Sequence, residues 1–163
     1  MEPPCVGCYN LAMPSAVNSP RSNKDLQEAL ARLPHGSAFR FIDRLLELRA
    51  GQSGVGEYLV RGDEPFLSGD SGQAILPGVL LVEAGTQLAG TVAQADPHHS
   101  PLAGLKLTAL RNVKILGPAR RGDVIRLEAK ITARLANLVQ LQTVASINGQ
   151  VVMQGQVTLS GDA

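Results

Sequence analysis

The chain has 163 residues, a formal charge of +1 and 44% apolar residues, with only 3% aromatics and no tryptophan. That length fits one domain with an aliphatic core, and the charge excludes a nucleic-acid binder held by bulk electrostatics. The longest apolar run, Ile75 to Val82, is broken by Pro77 and Gly78 and is too short to span a membrane.

Residues 1–23 are rich in Pro, Ser and Asn and show no periodicity, so they are expected to form a disordered leader before a domain at 24–163. The leader lacks the basic start and apolar centre of a secretion signal. Cys5 and Cys8 form a CxxC with no second pair and no following helix pattern. Neither a zinc site nor a redox motif is completed, and the expectation is free thiols in a reducing cytoplasm.

Ser22 and Asp25 resemble a helix start, and Leu26, Ala29, Leu30 and Leu33 give one apolar face that must end before Pro34. His35 follows beside a turn, where a lone histidine is more often structural than catalytic. Phe39 to Leu48 is apolar enough for a strand, closed by a turn at Gly51. Val55 to Arg61 reads as a second strand, weakened by Gly54 and Gly56.

A tight-turning loop, Gly69 to Gln73, carries Asp70. Pro77 then suits the first position of a helix that should be buried almost all round, since Val79, Leu80, Leu81, Val82, Ala84, Leu88, Ala89 and Val92 leave no polar face. One stripe breaks that pattern: Glu83, Thr86, Gln87 and Gly90 sit at i, i+3, i+4 and i+7. A carboxylate among aliphatics either pairs with a cation from elsewhere or serves as a catalytic acid. The first-turn N–H groups at Gly78 and Val79 offer a site for a carbonyl oxygen gaining negative charge.

Asp96 and Pro97 stop the helix, and the adjacent His98 and His99 belong to an exposed loop. Strands follow at Leu105 to Ile115, Val124 to Leu135 and Leu138 to Ile147. Asn148-Gly149 then turns a hairpin into Gln150 to Leu159. The second of these strands alternates strictly, with Ile125, Leu127, Ala129, Ile131, Ala133 and Leu135 on one face and Arg126, Glu128, Lys130, Thr132 and Arg134 on the other. The order predicts an α+β domain in which a mostly antiparallel sheet packs on one hydrophobic helix.

The residues Leu33-Pro34-His35, Phe41-Ile42-Asp43-Arg44, Glu64-Pro65-Phe66, Gly69, Leu76-Pro77-Gly78-Val79-Leu80, Glu83-Ala84 and Gln87 resemble the 3-hydroxyacyl-[acyl-carrier-protein] dehydratases of the hotdog fold. The likeness continues through Arg111-Asn112-Val113 and Arg121-Gly122-Asp123 to the final hairpin. It implies a curved antiparallel sheet wrapped around one long central helix, in a homodimer or a trimer of dimers with sites at the subunit interface. The implied substrate is a 3-hydroxyacyl thioester on acyl carrier protein or coenzyme A, with no cofactor, metal, nucleic acid or membrane involved. Dehydration needs a base near carbon 2 and an acid near carbon 3. By resemblance the acid maps to Glu83, the thioester carbonyl to the Gly78 N–H, and Gln87 orients the acid or a water. Val79 joins this substrate-binding set.

The family base is a histidine in Gly-His-Phe-Pro, contributed by the opposite subunit. Here Gly69 is followed by Asp70-Ser71-Gly72 and the segment to Pro77 is one residue short. Asp70 is the first candidate to replace the histidine. His35 matches another family position, is assigned to substrate binding, and ranks behind Asp70 as a base. Three readings stay open: a dehydratase using Glu83 and Asp70, a hotdog thioesterase in which one of them activates water, and a non-catalytic acyl binder or subunit that lends Glu83 to a histidine-bearing partner. Arg111, Lys114, Arg120 and Arg121 either dock an acidic carrier protein or form an ordinary solvated strand edge.

Overall fold

The computed structural model describes residues 23–69 and 74–162, with side chains from 26 onward. In chain order the elements are α1 (Asn23–Ala31), a 3₁₀ turn (Ser37–Phe39), β1 (Arg44–Arg49), β2 (Ser53–Leu59), β3 (Ile75–Leu76) and α2 (Gly78–Gln94). They continue with β4 (Lys106–Ile115), β5 (Ala119–Arg120), β6 (Val124–Leu135), β7 (Leu138–Ile147) and β8 (Gln150–Ser160). The expected leader and the Cys5–Cys8 pair lie outside the described residues.

Six strands form one sheet in the order β1-β2-β6-β7-β8-β4, each neighbouring pair antiparallel. The helix α2 lies across β2, β6, β7 and β8, and α1 packs on β1. The core is aliphatic where these layers meet, with Leu81, Leu88, Val92, Ile125, Leu127, Leu141 and Val157 wholly buried. Each such side chain contributes about 1.5–3 kcal/mol by leaving water. The Asn148-Gly149 turn is as expected: both residues take positive φ (50° and 80°), which a two-residue turn needs to match strand twist.

Three local expectations are corrected. The apolar run Phe39 to Leu48 is not one strand. Its first residue, Phe39, ends the 3₁₀ turn, and pairing with β2 runs over Arg44 to Arg49. In β2 the glycines belong to the strand. Gly54 is buried under α2, where a Cβ would lie 2.7 Å from Val92 Cγ2, so helix and sheet approach too closely for any side chain. In β6 the alternation fails near its end. A register shift between Ile131 and Ala133 turns Leu135 outward (75% exposed) and Arg134 inward.

Candidate active site

The stripe on α2 survives as the lining of a cavity. Leu81, Leu88 and Val92 face the core, whereas Glu83, Thr86, Gly90 and Gln94 are only half-buried. These four border a cavity of about 750 Å³, closed opposite by Leu33 and His35 and by the segment Pro101 to Leu107. Thr86 and Thr91 donate their hydroxyls to carbonyls one turn back, Val82 O and Gln87 O, which satisfies them within the helix.

Gln87 is the fixed point of the site. It is 2% exposed, and its amide makes three bonds. Phe41 N–H donates to its Oε1 at 2.9 Å, while its Nε2 donates to Phe39 O at 2.9 Å and to Glu83 Oε1 at 3.0 Å. The acceptor role of Oε1 toward a backbone N–H fixes the amide orientation, so Nε2 must be the group facing Glu83. The segment after His35 is thus tied to α2 by a side chain rather than by a neighbouring strand. That is why the expected strand at Phe39 does not form.

Aromatic packing holds the same segment from the other side. Phe41 makes edge contacts with Phe39, Tyr58 and Phe66 at centroid distances of 5.0, 5.5 and 5.4 Å. Tyr58 donates its hydroxyl to Glu64 Oε1, which also accepts Arg61 N–H, while Oε2 accepts Gly62 N–H. Burial opposes the Glu64 charge, but these donors win and hold its pKa below the usual value; burial and the adjacent carboxylate push the Tyr58 phenol up. Arg61 closes the group with a 2.7 Å ion pair to Asp43. Together they anchor the strand and turn from which the chain enters residues 70–73.

His35 and Glu83 meet at the cavity. His35 Nε2 lies 3.4 Å from Glu83 Oε1, and the two side chains are 33% and 24% exposed. The cavity thus joins His35, Glu83 and Gln87 of the expected residues. Gly78 and Val79 are not among its walls. Gly78 packs under Ile115, whose Cδ1 would be 2.8 Å from an added Cβ, and Val79 is 66% exposed. Arg111, Lys114, Arg120 and Arg121 are all exposed, the first two on β4. Asp70 lies outside the described residues.

Two features went unread in the sequence. Gln94 continues the stripe one turn beyond Gly90 and exchanges two bonds with the Leu102 backbone, 2.8 and 2.9 Å, which pins the far wall of the cavity; extending the period would have found it. Asp96, just past α2, accepts His98 N–H at 2.9 Å and faces His99 at 2.9 Å and the inward Arg134 at 3.5 Å. Burial raises its pKa, but these partners outweigh it and hold the carboxyl below its usual value. Arg134 also donates to Ala93 O at the end of α2.

Comparisons with known proteins give the family from sequence and the fold from structure. Residues 33–156 match the FabA-like domain. The 3-hydroxyacyl-[acyl-carrier-protein] dehydratase FabZ of Roseiflexus castenholzii is 36% identical over 134 residues, 82% of this chain and 93% of that protein. The FabZ of Solibacter usitatus is 34% identical, covering 82% of each. Among solved structures, the dehydratase heterocomplex ApeI:P from Xenorhabdus doucetiae superposes with a TM-score of 0.70 at 18% identity, over 82% of this chain and 91% of that one. Zebra fish thioesterase superfamily member 2 does so at 0.63 and 17%, over 83% and 92%. The architecture is the hotdog fold.

Proposed function

This chain belongs to the FabA-like family, and on that premise we propose that it is a 3-hydroxyacyl-thioester dehydratase acting on carrier-bound acyl chains in the cytoplasm. The observation that carries this reading is Glu83, a carboxyl on a mostly buried helix that opens into a cavity of ligand size. In this reading Glu83 protonates the departing hydroxyl at carbon 3. Gln87 keeps the acid in one rotamer, and Leu102, Leu105 and Leu159 in the cavity wall receive the acyl chain.

A second copy completes the molecule. The strand β4 is an outer strand of the sheet, bonded to β8 on one side, and it exposes Leu107, Leu110 and Ile115. A ten-residue edge that carries such exposed apolar side chains is a template for another strand, and pairing of two β4 edges buries them. Arg120 and Arg121, outside that strand, remain for a carrier protein.

The test is hydration of a 2-enoyl thioester, followed as loss of the conjugated absorbance. Hydration by the isolated chain supports the proposal. Release of free thiol assigns the chain to the thioesterases. Turnover only in the presence of a histidine-bearing relative assigns it the role of a partner subunit.

A further inference from the structure

The dehydratase reading requires a base, and the sequence between Gly69 and Pro77 contains no imidazole. The chain has three histidines. His98 and His99 lie beyond the end of α2, whose rise of 1.5 Å per residue puts Gln94 already ~16 Å from Glu83 along the axis. His35 alone stands at the acid, with Nε2 at 3.4 Å from Oε1.

We propose that His35 is the catalytic base of this site and works as a pair with Glu83 of the same chain; this rests on the dehydratase reading. The ring has one usable nitrogen. Its Nδ1 is buried and has no partner among the described residues, and the ring leans on Phe39 at a centroid distance of 6.1 Å, so Nε2 is the atom that meets the cavity. Glu83 is held through Oε1, which takes the Gln87 N–H, while Oε2 has no partner among the described residues. A 3.4 Å gap is longer than a good hydrogen bond, as is common for reacting groups before substrate arrives.

The step balances within this pair. The Nε2 lone pair takes the proton from carbon 2, and the C–H electrons become the carbon 2–carbon 3 π bond. The carbon 3–oxygen bond breaks, and the oxygen takes the Glu83 proton and leaves as water. An imidazolium and a carboxylate remain in contact, and one transfer from Nε2 to the carboxylate restores both groups. In the pattern that the sequence resembles, acid and base come from opposite subunits. Here each protomer carries a complete pair.

Mixed dimers test this. After wild-type hydratase activity is established, wild-type chain is paired through distinct tags with a chain bearing both His35→Gln and Glu83→Gln. A pair within one chain leaves one complete site in that dimer and about half the activity, and the dimer of the two single variants stays as inactive as its parents. An active wild-type monomer supports the same conclusion. In homodimers, His35→Gln is expected to lower kcat about 10²–10⁴-fold, and imidazole is expected to restore turnover to His35→Ala. The reverse mixing pattern, or near wild-type kcat in His35→Gln and in His35→Asn, overturns the inference and leaves the dehydratase reading standing. A wild-type chain that hydrates no enoyl thioester removes both.

Discussion

Gln87 holds Glu83 by a 3.0 Å bond from Nε2 to Oε1 across one turn of α2, and the same amide binds the backbone on either side of Arg40. One side chain therefore fixes the acid and the segment that follows His35. Replacing Gln87 by Ala strands the Phe41 N–H and the Phe39 carbonyl and loosens Glu83. The expected loss is about 2–4 kcal/mol in urea unfolding, with a fall in kcat in whatever protein remains folded. Gln87→Glu keeps the acceptor for Phe41 but not the two donations, and falls between.

Glu83→Gln preserves size and half-burial while removing the proton donor. Hydration of a 2-enoyl thioester should drop about 10²-fold or more in kcat, with KM little changed and the urea midpoint close to wild type. Retention of full turnover would remove Glu83 from the chemistry.

Gly90 faces the cavity, and an added Cβ there meets only Leu105 Cδ2 at 3.5 Å. Gly90→Leu should fold and shorten the space beyond Glu83. The measurement is kcat/KM for short and long enoyl thioesters. A selective loss of about tenfold or more for the long substrate is expected, and equal values for both would place the acyl chain elsewhere.

Asp96 carries a pH signature. Its carboxyl is held below its usual value in the fold, so it contributes stability that is complete above the unfolded value of about 4 and is lost as pH falls through the lower folded value. Asp96→Asn should destabilise the protein at neutral pH by about 1–3 kcal/mol, because Arg134 loses its counter-charge in a nearly buried position. Urea midpoints of variant and wild type should converge in acid. A constant gap across the titration would contradict this role.

The periodic parts of the molecule were legible in the sequence. The α2 stripe followed from i, i+3, i+4 spacing, and the last hairpin from Asn148-Gly149. The inward turn of Arg134 was not legible, since the register shift at Ile131 to Ala133 that causes it has no residue signature. Phe39 to Leu48 looked like a strand because its apolar pattern is silent about a bond partner 46 residues away. The meeting of His35 with Glu83 depends on that same long-range tie, and a local sequence pattern carries no trace of it.

All three phenylalanines of the chain are in contact distance of one another around Phe41, and Tyr58 completes the group. There is no tryptophan, and the other tyrosine, Tyr9, lies outside the described residues. With no tryptophan in the chain, Tyr58 and its ring neighbours contribute to the near-ultraviolet dichroism of the folded protein. Phe39 of this group leans on His35 of the cavity wall at a centroid distance of 6.1 Å, so a ligand that shifts Phe39 can be followed by light without any label.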